Sequence, residues 1–334
     1  MKGLKKLALA TAVAAVPFAA QAEMQPMDDS MMGNVTGQSG VTIELETQVE
    51  IGRFTYTDEG TFSVNDIQIG GALTSDSAIA AGYAAQTGAG QLLDQLKIDI
   101  DVESDGDAVI HVGSLQEDQS GNPVPIDWGM KAGSMELEGN GGENTVLVSN
   151  MDAWGLLGAL DIRVDTDNVT DSAGNEIAGS GTLNLDVAFT VNDMNFDADF
   201  LAVGVRNMSI TGANTSTASA GAAFGLTASG SENNVDLTDD EIADKIFGKT
   251  AAQLTAPEQA KLALAKKGFA LVGLDIYQGD GIGASSATGV LRIDVDNVLM
   301  DVNIGQTLVG GTNIGTIGID NLHISDTKLA VYGH

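Results

Sequence analysis

Val41-Thr42-Ile43-Glu44-Leu45-Glu46-Thr47-Gln48-Val49-Glu50-Ile51 is the stretch that decides the fold. Val41, Ile43, Leu45, Val49 and Ile51 share one parity, and Thr42, Glu44, Glu46, Gln48 and Glu50 share the other. An extended chain turns successive side chains to opposite sides, so this pattern is a strand with one apolar face and one wet face. The same alternation returns in Ile98-Ile100-Val102, in Leu183-Leu185-Val187-Phe189-Val191 and in Leu291-Ile293-Val295. With 42 Gly against 5 Pro, the punctuation suits turns between strands. The expected fold is mainly β, an elongated repeat-containing sheet assembly laid out as an irregular solenoid or a sandwich, with 23–334 as one domain.

A second pattern is laid over the alternation. Val64-Asn65-Asp66-Ile67, Val191-Asn192-Asp193-Met194, Val205-Arg206-Asn207-Met208, Val295-Asp296-Asn297-Val298 and Ile319-Asp320-Asn321-Leu322 each set two apolar residues three apart. A spacing of three breaks a period of two, so the apolar face changes phase there. Asn and Asp tolerate left-handed geometry, and each motif reads as a bulge or a corner. The longest internal match sets Val191 to Phe200 against Val295 to Ile304, a degenerate repeat.

One segment departs from strand patterning. Thr238 precedes Asp239-Asp240-Glu241, and Thr255 precedes Pro257 and Glu258, two helix starts with capping boxes. These predict a helical insertion over about 238–267. The Ala-rich residues 72–96, ending in Leu92-Leu93-Leu96, predict another short helix.

At the N-terminus, Lys2, Lys5 and Lys6 precede an apolar run from Leu7 to Ala20, then Ala20-Gln21-Ala22. This is the layout of a cleavable signal peptide over 1–22, with the mature chain starting at Glu23. The run is about 14 residues, short of the ~20 that cross a bilayer, so no transmembrane span is expected in the mature chain. Loss of those three lysines takes the formal net charge from −31 to −34. Such a balance argues against nucleic acid, which demands basic patches. With Cys 0, neither disulfides nor thiol chemistry contributes.

The residues offer little catalytic grammar. His111, His323 and His334 form no zinc spacing, and no GxSxG elbow occurs, so the chain is read as non-enzymatic. Carboxylates are the better candidates, and calcium is the ion they suit. Asp99, Asp101, Glu103, Asp105 and Asp107 alternate along one run; Asp165, Asp167, Asp171 and Glu176 stand at positions 1, 3, 7 and 12 of an imperfect calcium loop. The alternative is a solvated acidic strand face and an Asp-rich turn. An outer-membrane barrel is disfavoured by an aromatic content of 4% and by the ending Val331-Tyr332-Gly333-His334.

Residues 27–43, from Met27-Asp28-Asp29 through Val35-Thr36-Gly37-Gln38-Ser39-Gly40 into Val41-Thr42-Ile43, resemble the mature N-terminus of exported gammaproteobacterial proteins of the DUF6160 kind. These are similar to FilA-like proteins, described as components of a pilus system. The resemblance carries no catalytic residues. It implies a structural or adhesive role at the surface of a Gram-negative envelope, with self-assembly or other envelope or pilus proteins as partners. The rival class is a periplasmic or secreted ligand-binding protein that depends on calcium. Donation of the 41–51 strand to a neighbouring subunit is weighed against pairing within its own chain.

Overall fold

The alternating stretch forms one edge of a sheet. The computed structural model describes residues 40–73, 86–117, 121, 123–171, 173–213 and 237–333; residues 1–22, where the sequence predicts a signal peptide, and His334 lie outside them. Val41–Thr47 (β1) and Val49–Thr57 (β2) run on in one line, interrupted only at Gln48. β3 (Thr61–Leu73), β4 (Gln86–Gln91), β5 (Leu93–Val102), β6 (Ala108–Ser114) and β7 (Ile126–Glu138) are short to medium strands. β8 (Asn144–Asp165), β9 (Thr182–Ala198), β12 (Val290–Val309) and β13 (Thr312–Val331) are long, with β10 (Val203–Thr211) and β11 (Ala270–Gly279) between them. The protein is mainly β, and the 13 strands among the described residues join one sheet. Every pairing among the described strands is antiparallel, so the parallel ladders of a stacked-coil solenoid are not found among them.

Long strands beside short ones divide the sheet into two lanes. In the first lane the order is β2, β3, β7, then the first part of β8, the last part of β9, β10, the last part of β12 and the first part of β13. In the second it is β1, β5, β6, then the other parts of β8 and β9, β11, and the other parts of β12 and β13. The strand at 41–51 therefore pairs within its own chain, through β1 with β5 and through β2 with β3.

The apolar parity of each strand lines up across both lanes. Val41, Ile100, Ile110, Ile162, Leu185, Leu274, Val295 and Thr327 are successive cross-strand neighbours. So are Ile43, Ile98, Val112, Leu160, Val187, Val272, Val298 and Ile324. In the first lane the row is Val49, Ile69, Met130, Ala153, Met194, Met208, Ile304 and Ile317. Directly opposed apolar pairs are the unit of sheet stabilisation, and here they run from one edge to the other.

The three-residue motifs lie inside strands, where they keep the apolar parity on one side. Asp66, Asn207 and Asn321 are left-handed, at φ 53, 52 and 53. The pairing slips by one residue at Arg206-Asn207 against β9 and at Asp320-Asn321 against β12. The 191–194 and 295–298 motifs slip against β8 and β11 with ordinary backbone angles. Asp66 shifts no register but stands across from Gly133, where a Cβ would come within 3.3 Å of the Asp66 Cβ.

Residues 72–96 correct the helix expectation. Their described part is strand: β3 ends there, and β4 and β5 follow. Leu93 and Leu96 pair with Thr47 and Leu45, and Gln95 between them is left-handed at φ 56. The spacing that mimics a helical turn is thus another bulge, and cross-strand pairing overrides alanine's helical propensity.

The helical hairpin fills the place where β10 stops and β11 begins, with Gly212 N–H donating to the Gly268 carbonyl at 2.7 Å. α1 (Asp239–Phe247) starts at a Thr238–Glu241 capping box and ends at left-handed Gly248. α2 (Ala256–Lys266) starts at a Thr255–Glu258 box. The Lys249 ammonium at 2.7 Å and then the Thr255 N–H hold Glu258 down at about 2. Ile242, Ala243, Leu262 and Ala265 pack on Leu156, Ala188, Leu271, Leu299 and Phe269, which form the main core. Gly158 makes room for this seat: a Cβ there would come within 3.0 Å of the Phe269 ring.

Candidate functional site

Three features concentrate chemistry: the acidic turns, a cavity beneath the helical hairpin, and the sheet edges. Asp99, on the wet face of β5, accepts from Thr42 Oγ1 at 2.7 Å and pairs with Lys97 at 3.1 Å. The Thr42 hydroxyl and then Lys97 hold its pKa below the usual range. Asp101 follows on the same strand. In the β5–β6 turn, ligand oxygens of Glu103, Asp105 and Asp107 lie within 4.8 Å of one another. That cluster already holds a cation: Arg163 Nη2 donates to Asp107 at 2.6 Å and to Glu103 at 3.3 Å. Asp107 is buried and also accepts the Thr166 N–H at 3.0 Å, so it pins the turn to the end of β8. The Thr166 N–H and then Arg163 keep its pKa low.

Asp165, Asp167, Asp171 and Glu176 lie along the β8–β9 connection. Asp165 accepts the Asp167 N–H at 2.9 Å. Asp171 gathers the N–H groups of Ala173 and Asn175 at 2.9 and 2.7 Å, a turn in which the carboxylate stands in for a backbone acceptor. The Asn175 side chain and backbone lower its pKa. Glu176 bridges back to Thr170. Among the described residues, only Glu103, Asp105 and Asp107 come within common reach of one ion; the other six candidates are spread over separate turns and strands.

A cavity of about 490 Å³ opens between α2, β6 and β8. Phe269, Leu264, Pro123 and Pro125 give it apolar walls, and Lys97, Lys261, Lys267 and His111 give it a polar side. Lys261 is tied to Asp186. His111 Nδ1 meets Asp161 Oδ1 at 2.6 Å, and this bond, against the cost of burial, raises the imidazole pKa. A Cβ at Gly113 would approach His111 Nε2 to 2.8 Å, so glycine leaves the ring room on the cavity side. The sequence shows no motif here, because His111 and Asp161 are 50 residues apart and meet only through β6–β8 pairing. The other described histidine stands elsewhere: His323 Nε2 lies 3.1 Å from the Lys245 carbonyl.

The edges differ from the rest of the sheet. All of β2 and nearly all of β1 are exposed, and so is most of β13. Among the described residues, more than half of the exposed large hydrophobic side chains lie on these three strands. Neither β1–β2 nor β13 has a described partner on its outer side.

Residues 1–104 match the model of a family of unknown function, DUF6160. The match takes in β1 and β2, one of the two edges, along with β3, β4 and the 93–102 strand. No curated protein and no solved structure matches the chain. Among the described residues, no helix is long and apolar enough to cross a membrane.

Proposed function

We propose that this is an exported, non-enzymatic structural or adhesive protein of a Gram-negative envelope, filament-associated and working through its sheet surfaces. The observation that carries the reading is the pair of long, largely exposed edge strands, which carry more than half of the exposed large hydrophobic side chains among the described residues. Sheets ordinarily blunt such edges, because they invite another chain. A net charge of −31 keeps the molecule soluble while those edges stay available. The DUF6160 match over 1–104 adds a pointer in the same direction through the pilus-system resemblance. In this reading the β9–β10 and β12–β13 pairs are two copies of one unit.

Cell fractionation tests it. The protein is expected in an outer-surface fraction, open to added protease, with an intact mass that starts at Glu23. Recovery as a freely soluble periplasmic protein, protected from that protease, would overturn the reading. A second reading, a periplasmic or secreted ligand-binding protein, is favoured by the cavity against His111 and would gain from that opposite result.

A further inference from the structure

The two edges fit each other. β1–β2 and β13 run in opposite directions, and they cross the lanes in opposite order: β1–β2 from second to first, β13 from first to second. If one copy is set beside another without being turned over, β13 of the first meets β1–β2 of the second antiparallel, lane against lane. The rows then continue. Ile317 would lie beside Val49, Ile324 beside Ile43 and Thr327 beside Val41, because each pair ends the same row. Leu322 falls beside Leu45, and Ile319 beside Thr47.

The chain lengths need adjustment for this, and β13 carries it. Eight positions separate Val41 from Val49, a span of about 27 Å in extended chain. Ten separate Ile317 from Thr327. The two extra residues fall at Asn321 and Asp326, both left-handed at φ 53. A left-handed residue can be a bulge towards one neighbour and in register towards the other. Asn207 behaves so here: the pairing slips at that point against β9 but not against β12. Asp326 is in register against β12 and would slip only towards the new neighbour, whereas Asn321 already slips against β12 and would slip on both sides. On the wet face, Thr42 would meet Ser325, a favourable hydroxyl pair, and the Glu44 carboxylate would meet the His323 imidazole. Glu46 beside Asp320 is a like-charge meeting that salt would ease.

We infer that the partner for which these edges are shaped is a second copy of this chain, added head to tail so that β13 of one copy extends the sheet at β1–β2 of the next. The contact is heterologous, so it propagates instead of closing as a pair, and the right-handed twist of sheets turns the product into a twisted ribbon. This deepens the structural reading above and rests on it.

Sedimentation velocity on the purified protein, with Ile43→Glu and Ile324→Lys variants, tests the inference. Both side chains are exposed, so both variants are expected to keep the wild-type circular dichroism. Wild type should grow with concentration beyond a dimer. Each variant alone should stay monomeric, its assembly weakened about tenfold or more by a charge on an apolar row. Mixing the two should restore at least a heterodimer, since the unaltered β13 of one variant meets the unaltered β1 of the other, and growth beyond it through the opposite charges that meet where both altered edges join. Wild type that stays monomeric, a variant that assembles as wild type does, or a mixture that stays monomeric would each overturn the inference. If a variant fails to fold, hydrogen exchange on wild type decides alone: outer amides of both β1 and β13 should gain protection as concentration rises, and no gain would overturn it. A monomer recovered at the cell surface would defeat this inference and leave the surface reading standing; a ribbon-forming protein confined to the periplasm would do the reverse.

Discussion

Asn207 offers the sharpest test of what the recurring motif does. It sits at φ 52, exposed, in the middle of β10, and its N–H donates to Asn195 Oδ1 at 2.9 Å. A Cβ on Gly305, directly across, would stand 3.0 Å from the Asn207 Cβ, so the two strands close tightly there. Asn207→Val would place a β-branched side chain in a region that disfavours it by about 1–3 kcal/mol, with no burial gained in return. Asn207→Gly keeps the geometry and adds only backbone entropy, about 0.5–1 kcal/mol. Ser209→Val, two residues on and with ordinary backbone angles, controls for adding a branched residue to β10. In urea, with a slope of roughly 3 kcal/mol/M for a chain of this size, a loss of about 2 kcal/mol moves the midpoint down by about 0.7 M. The expected order of midpoints is Ser209→Val and wild type together, then Asn207→Gly, then Asn207→Val. Equal midpoints for the two Asn207 variants would show that left-handed geometry carries none of the motif's role.

Three further outcomes follow from titratable groups and turns. Desolvation first, and then Asp275, Asp186 and Asp294, push Asp296 up to about 6; the folded protein therefore binds a proton that the unfolded chain has released, and stability should fall as pH rises from about 4 through 6. Asp296→Asn should flatten that slope and raise stability at pH 7.5 by about 1 kcal/mol, after discounting for the side chain's exposure; an unchanged slope in denaturation midpoints against pH would refute it. The His111 pKa is raised chiefly by Asp161, so Asp161→Asn should move the imidazole titration, followed by NMR, to lower pH; no movement would mean that the pair does not form in solution. Because Arg163 already bridges Glu103 and Asp107, millimolar calcium and chelator should give the same thermal midpoint, whereas occupancy at 100 times a dissociation constant would add about 2.7 kcal/mol.

Much of the fold was legible because alternation is a direct consequence of strand geometry. Val41 to Ile51, Leu183 to Val191 and Leu291 to Val295 all became strands with the apolar parity aligned. The motif was legible where Asn or Asp held its inner positions, as at Asn207 and Asn321. It went unseen at Gln95, Asn150 and Asp326, which share the left-handed conformation. At Leu93-Asp94-Gln95-Leu96 a glutamine replaces the usual turn-former, and the leucine spacing looks helical. Val148-Ser149-Asn150-Met151 and Ile324-Ser325-Asp326-Thr327 hide behind a serine in the second position. The acidic turns announced their carboxylates but not their satisfaction, because Arg163 and Thr166 reach Asp107 from 56 and 59 residues away. The cavity was illegible for the same reason: its polar groups meet only through strand pairing and the docking of α2.

Bulges in an edge strand admit an opposite interpretation, that Asn321 and Asp326 exist to spoil β13 as a template. Protective edges usually combine several devices: proline, a charge pointing into the apolar face, or short length. β1, β2 and β13 contain no proline. Lys328 is paired with Asp294 and so belongs to the wet parity, leaving the apolar row of β13 without charge. Both edges also run the full width of two lanes. The slip at Asn321 keeps the apolar parity in step, and Asp326 leaves the pairing with β12 in register, so that Ile317, Ile324 and Thr327 stand at the ends of rows that begin at Val49, Ile43 and Val41. The bulges of β13 thus set the edge in register with the opposite edge of the same sheet. An edge built only to repel would have no use for that agreement.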